Sequence, residues 1–345
     1  MKTLLLAAAA ALAMAGVAQA AGTKTVKDWT AVCSNIGDCT AFGFSGESAD
    51  TNAFIKIDRQ AGPAGEPEIA VVFDSGDTQP AQTWTFSLDG KPIAGIGPVK
   101  AAGSEEGARA TLTGAAAQHL IDALRNGQNL QLNAGGKSIG EISLAGSAGI
   151  LLWVDDQQGR VGTVTALSKK GPAPAASVHP RLAPPLIRPA PPASQAGLPK
   201  RAPKSLVKSV ADCELDPSNT EPDDTIARLV PGVVLWGPEC EMAAYNETSV
   251  FFIGDEHAGH LKRVVFPEAP GAGQASGDIL MNVGFDAPGQ TLSSFSKGRG
   301  IADCGSTERW VWDGKGFQMA HEEIMTECRR VPPDDWPVLF VSRQK

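Results

Sequence analysis

The densest set of side chains able to do chemistry is Asp255-Glu256-His257-Ala258-Gly259-His260. Imidazoles and carboxylates so close together suit zinc or copper, with Asp255, His257 and His260 as candidate ligands. Histidines three apart across a glycine match no standard helical site, and two or three ligands from one loop bind weakly. A polar turn between strands is the plainer expectation, and no metal or other cofactor is expected. Ser205-Leu206-Val207-Lys208 and Ser294-Phe295-Ser296-Lys297 both satisfy S-x-x-K, the acylating pattern of penicillin-recognising enzymes. Neither has a K-T-G companion, and two hits in one chain point to coincidence. Gly43-Phe44-Ser45-Gly46 continues with Glu47, so a nucleophile elbow is not completed. Asp155-Asp156, Asp223-Asp224 and Asp334-Asp335 invite an acid/base reading. Neighbouring residues diverge in helix and strand alike, and Asp155 to Arg160 reads better as a helix end with Gly159 as its cap. Trp310, Trp312 and Trp336 are candidates for an aromatic surface that stacks on a ligand, although such residues are more often core. No catalytic or cofactor-binding residue is assigned.

The elements that must position these residues are mostly strands. Trp29 to Cys33 and Cys39 to Phe42 read as a hairpin closed by a disulfide near its tip, followed by strands at 53–58, 69–73 and 83–88. The period then changes. Gly114 to Arg125 places Ala117, Leu120, Ile121 and Leu124 on one face, and Leu144 to Gln157 is Ala/Leu-rich. Both read as helices on one side of an antiparallel sheet, which makes residues 21–170 an α+β domain. Residues 205–345 carry short runs at 233–236, 249–253, 261–266, 279–285, 292–296, 308–312 and 317–321, the pattern of a mainly-β sandwich or barrel.

Between them, residues 171–204 hold ten of the 25 prolines, five basic residues and no acid. Proline fixes φ and removes a donor, so the stretch reads as a Pro-rich basic linker reaching ~105 Å at about 3.1 Å per residue. It is a spacer by default and a contact for anionic cell-wall polymer or head groups by alternative. Residues 1–20 form a signal peptide: Lys2, an apolar run to Val17, and Ala18-Gln19-Ala20 for cleavage. A periplasmic or secreted protein without a membrane span is expected. Six cysteines and no CxxC in an exported chain favour disulfides, paired by proximity as Cys33 with Cys39, Cys213 with Cys240, and Cys304 with Cys328. The competing reading keeps Cys33/Cys39 as an exchange-active pair. A formal net charge of −8 over 345 residues makes a nucleic-acid partner a poor expectation.

Asp28-Trp29-Thr30-Ala31-Val32-Cys33 with Cys39, Ser143 to Gly146 running to Asp155-Asp156-Gln157-Gln158-Gly159-Arg160, Leu235-Trp236 with Cys240 and Ala244-Tyr245-Asn246, and Trp310 to Phe317 with Cys328 and Trp336-Pro337 carry a resemblance. Together they resemble the proteobacterial domain-of-unknown-function family 1176 over nearly the whole mature chain. The N-terminal half is also similar to the invasion-associated locus B proteins. The resemblance implies an exported protein of unassigned activity and transfers no reaction. The expected role is a non-enzymatic binding or interaction module of the cell envelope, with an envelope protein or a cell-wall ligand as partner; the alternative is an envelope hydrolase. A polar cleft gathering distant Asp, Glu and His residues would favour the hydrolase, and a flat or aromatic-lined groove the binding module.

Overall fold

The computed structural model describes residues 21–46, 52–77, 79–104, 107–210, 224–270 and 277–345. The signal-peptide reading of residues 1–20 and the Cys213–Cys240 pairing therefore lie outside the described residues.

The first half is one curled antiparallel sheet of eleven strands. In chain order these are β1 (Gly22–Val26), β2 (Trp29–Cys33), β3 (Cys39–Phe44), β4 (Asn52–Arg59), β5 (Pro67–Asp74), β6 (Gln82–Leu88), β7 (Lys91–Pro92), β8 (Val99–Gly103), β9 (Gly107–Leu112), β10 (Asn129–Ala134) and β11 (Lys137–Ser143). Their spatial order is β1-β2-β3-β4-β5-β9-β8-β6-β10-β11, with β7 on β6. The curl brings β11 back over β3 and β4, where the Ser45 hydroxyl donates to the Glu141 carbonyl at 2.8 Å. Trp29 anchors this closure. Its ring is fully buried, its Nε1 donates to the Ser143 carbonyl at 2.8 Å, and it lies so close to Gly43 that a Cβ there would come within 2.3 Å.

Two helices plug the curl. α1 (Gly114–Leu124) buries Ala117, Leu120, Ile121 and Leu124, an i, i+3, i+4, i+7 stripe whose three large side chains each contribute about 1.5–3 kcal/mol by burial. α2 (Ser147–Gln157) buries Ile150, Leu151 and Val154, and its last turn also buries Asp155. Gly159 follows it in the left-handed region, φ +64°.

In the second half, residues 186–187 form β12, Lys204–Ser209 form α3, and the remaining strands are β13 (Thr225–Val230), β14 (Val233–Gly237), β15 (Glu239–Met242), β16 (Glu247–Val250), β17 (Phe252–Gly254), β18 (Lys262–Arg263), β19 (Ile279–Met281), β20 (Gly284–Asp286), β21 (Thr291–Lys297), β22 (Gly305–Trp312), β23 (Phe317–Met325), β24 (Val338–Val341) and β25 (Arg343–Gln344). They build sheets of four (β13-β14-β17-β18), three (β15-β16-β19) and five strands (β20 to β24 in order). The chain changes sheet at Phe251, a fully buried ring set edge-on to Phe266 at 5.5 Å. Phe266 also packs on Trp310 and Phe317, and this aromatic cluster is the centre of the second core.

The expectation of an α+β domain with two helices followed by a distinct mainly-β domain is overturned. The protein is mostly β throughout, with three short α-helices among the described residues. Two physical reasons stand out. Stretches such as Val99–Gly103, Gly107–Leu112 and Asn129–Ala134 are too rich in Ala, Gly and polar residues to announce strands, yet their backbone groups complete the sheet ladder. The halves also share a core: Phe42, Phe44 and Phe54 pack with Cys304, Met325, Val331 and Trp336. Ion pairs surround that seam, with Asp335 held by Lys56 and Arg109, Asp74 by Arg330 and Asp28 by Arg329.

The proline-rich segment lies on both halves. Leu182 N–H donates to the Ile36 carbonyl, Ala190 N–H to the Trp312 carbonyl at 2.8 Å, and Leu186–Ile187 pairs in parallel with Arg343–Gln344. No helix among the described residues is long and apolar enough to cross a membrane.

Candidate functional site

The sequence-derived candidates divide clearly. Asp255 accepts hydrogen bonds from the N–H groups of Gly259 (2.7 Å) and His257 (2.9 Å), which hold its carboxyl below the usual range, Gly259 first. Glu256 pairs with Arg228. Asp255, His257 and His260 thus shape a tight turn with Ala258 and His260 at positive φ, and no group of three metal-binding side chains is assembled among the described residues. Trp310, Trp312 and Trp336 are all buried and each belongs to a core cluster, with Trp336 also at the wall of a cleft. Ser294 and Lys297 are three apart on β21 and so point to opposite faces, with the Ser294 hydroxyl donating to the Met281 carbonyl. Cys33–Cys39 and Cys304–Cys328 are disulfide-bonded, and Cys240 is disulfide-bonded too.

The structure brings together Asp334, Trp336 and Cys39 with residues that the sequence motifs did not single out. A cleft of about 590 Å³ lies where β3, β4 and the start of β5 meet β23 and β24, with the proline-rich segment at one side. Register explains its polar wall. Thr40, Asp58 and Glu68 are consecutive cross-strand partners on β3, β4 and β5, and Thr40 Oγ1 donates to Asp58 at 2.6 Å. Lys56, two residues from Asp58 and on the same face, bridges Asp58 at 3.4 Å and Asp335 at 3.3 Å. Across the cleft, His321 and Glu323 share a face of β23, with His321 Nε2 3.0 Å from the Glu323 carboxylate. Burial alone would raise Glu323, but hydrogen bonds from His321 and Thr307 and the field of Arg309 outweigh it and hold the carboxyl below its ordinary value. Arg181, from the proline-rich segment, grips Asp38 through two guanidinium nitrogens, and this hydrogen bonding raises Arg181.

A second cleft of about 640 Å³ adjoins the first. It is lined by Asp286, Ser293, Arg309, Ser342 and Gln344, and it shares His321 and Val341 with its neighbour. The outer face of the five-stranded sheet is therefore one elongated polar groove. The free edge of β24 along it is capped: Asn35 donates its N–H to the Leu339 carbonyl, and its side chain both donates to and accepts from Val341.

Behind the first cleft sits a buried charged hub. Asp155 accepts the N–H groups of Leu167 and Ser168, each at 2.7 Å, and lies 3.7 Å from Arg59 Nη1. Arg160 donates to Gln158, Thr165 and the Gly62 carbonyl. Burial lowers Arg59 to about 9, Arg160 pushes the same way and Asp155 opposes; burial lowers Arg160 as well, again against Asp155. This hub fixes the 60–66 loop that carries the cleft rim. The signal for the cleft is spacing: Lys56/Asp58 and His321/Glu323 are polar pairs two apart in strand text, which places each pair on one face.

A family described as "Protein of unknown function (DUF1176)" matches residues 23–343, nearly the full length of the chain. The chain belongs to that family. Within reach of the same comparison, the chain is 29% identical over 354 residues to an uncharacterised protein of Escherichia coli K12, YpfG, covering 93% of each chain. Among solved structures, an invasion-associated protein B from Bartonella henselae matches with a TM-score of 0.30 at 15% identity, covering 40% of this chain and 98% of that one. A likeness that weak carries no argument about the groove.

Proposed function

We propose that this member of the family is exported and acts as a binding module of the cell envelope, taking its ligand in the groove on the outer face of β20 to β24. The disulfides and the lack of a membrane-spanning helix among the described residues fit an exported protein. One observation carries the binding reading: two clefts that share His321 and Val341 form a continuous polar groove, built from segments as far apart as Ser34 and Val341.

The hydrolase reading keeps one specific support, because the cleft does gather distant Asp, Glu and His residues around the His321–Glu323 pair. Binding is preferred on the state of the carboxyls. Hydrolysis by paired carboxyls needs one held protonated, with its pKa raised. Glu323, the carboxyl beside His321, is shifted the other way. The strongly raised carboxyl, Glu322, alternates with His321 and Glu323 on β23 and so faces away from the cleft.

The test places a photo-crosslinking residue at Glu68 or at Arg309, and as a control at Lys137, in the chain expressed with its first twenty residues. The expected result is a mature chain starting at Ala21 in the periplasmic fraction, cross-linked to an envelope component from 68 and 309 but not from 137. Equal labelling from all three sites overturns the binding reading, and turnover of purified cell-wall material that is lost in His321→Ala establishes the hydrolase in its place.

A further inference from the structure

We propose that the first cleft binds an extended peptide segment carrying lysine or arginine side chains; the proposal rests on the binding-module reading and names its ligand. Six carboxyl residues line the cleft against three permanent cations, Lys56, Arg59 and Arg181. All three cations are already engaged, with Asp58 and Asp335, with Asp155, and with Asp38. Three of the acids are not. Glu66, Glu68 and Asp334 are exposed on the rim and have no ion-pair partner among the described residues. The unpaired charge facing a ligand is therefore negative.

Charge alone would suit any polyvalent cation, and the wall decides between them. Ser34 lines the cleft, is 1% exposed, and its hydroxyl has no hydrogen-bond partner. Arg59 lines it as well, 4% exposed, and its Nη1 has an ionic contact to Asp155 but no hydrogen-bond acceptor. Buried polar groups left unpaired cost free energy until a partner arrives. A guanidinium nitrogen can only donate, so the partner missing at Arg59 is an acceptor, while the Ser34 hydroxyl can take a donor or an acceptor. A polyamine has donors only. A peptide brings both chemistries: main-chain carbonyls for Ser34 and Arg59, and cationic side chains for Glu66, Glu68 and Asp334. The groove's continuation past His321 toward Asp286 gives such a chain a path. Because Asn35 caps the β24 edge, the peptide is recognised by side chains and not by adding a strand there.

The experiment uses the mature chain and three probes: a fluorescent octapeptide of alternating lysine and serine, the same peptide with glutamate for lysine, and spermidine as competitor. The lysine peptide is expected to bind saturably, to lose affinity steeply between low and high salt, and to displace far better than spermidine. Glu66→Gln with Glu68→Gln and Asp334→Asn should weaken it at least tenfold while thermal unfolding stays unchanged, since all three are exposed. Ser34→Ala should weaken the peptide several-fold. Binding that ignores the triple substitution, equal binding of the glutamate peptide, or spermidine as effective as the peptide overturns the proposal. Absence of lysine-peptide binding beside retained groove cross-linking from residues 68 and 309 overturns the ligand class and leaves the binding module standing.

Discussion

Glu308 stands directly opposite Glu322 across β22 and β23, and both are buried. Their other neighbours are mostly uncharged or acidic. The Ser306 and Ser294 hydroxyls lie beside Glu308 and favour its charged form, Glu322 receives a hydrogen bond from the Ala269 N–H, and Glu268 adds a further negative charge. Burial first, then Glu308, then Glu268 push Glu322 up to about 7; burial raises Glu308 against the two serine hydroxyls. Like charges directly opposite in a sheet destabilise it, which favours the protonated form of both carboxyls in the folded protein.

Stability should consequently fall with rising pH in a defined window. A carboxyl whose folded value lies above its unfolded value binds its proton more tightly when folded. Its contribution is whole below the unfolded value of 4.5 and is lost as pH rises to about 7. The loss is on the order of 2–3 kcal/mol. Urea unfolding from pH 4.5 to 8 should show that decline, and Glu322→Gln should flatten it. An unchanged pH slope in Glu322→Gln would assign the decline to other groups.

Asp155 is the counter-case, a buried carboxylate that pairs with Arg59 and whose field reaches Arg160. Replacing it by Ala leaves Arg59 and Arg160 buried without their anion and strands the N–H groups of Leu167 and Ser168. Breaking such a pair costs about 3–5 kcal/mol. Chemical denaturation of Asp155→Ala should show that loss, and a loss of about 0.5 kcal/mol or less would reduce Asp155 to a helix-end residue.

How far the sequence carries can be read from these residues. The stripe Ala117, Leu120, Ile121, Leu124 announces α1 because burial follows the helical period. The hairpins around Cys33–Cys39 and Trp310 to Phe317 are legible because aromatic and β-branched runs flank polar turns. The strands Val99–Gly103 and Gly107–Leu112 are not, since their pairing is decided by neighbours distant in sequence and not by side-chain preference. The same holds for the cleft. Charged pairs two apart tell which residues share a face, but only the register Thr40–Asp58–Glu68 and the return of His321 beside it make a site. The seam from Phe42 to Trp336 is a third cluster to which both halves contribute, a contact that no sequence pattern announces.

That seam predicts joint unfolding. Trp336 is buried, donates from Nε1 to the Val331 carbonyl at 3.0 Å and stacks edge-on to Phe295, in a cluster completed by Phe42, Phe44 and Phe54 from the first half. Trp336→Ala should cost about 3–5 kcal/mol. Hydrogen exchange should show lost protection in β2 to β4 as well as in β21 to β24. Loss confined to residues 224–345 would mean that the halves are independent despite their contact.

The two described disulfides should differ in worth. Cys33–Cys39 closes a sequence separation of 6 and Cys304–Cys328 one of 24. On loop entropy alone they contribute roughly 2.4 and 3.5 kcal/mol, as upper estimates. Packing does not reverse this order by itself, since Cys33 and Cys39 lie in the first core and Cys304 in the shared aromatic core, so the difference rests on loop length. Replacing Cys304 and Cys328 by alanine should therefore lower the denaturation midpoint more than replacing Cys33 and Cys39. The reverse order would place the greater constraint at the hairpin tip, where Cys39 and its neighbours Asp38 and Thr40 wall the cleft. In that case Cys33→Ala with Cys39→Ala should also disturb the Arg181–Asp38 pair.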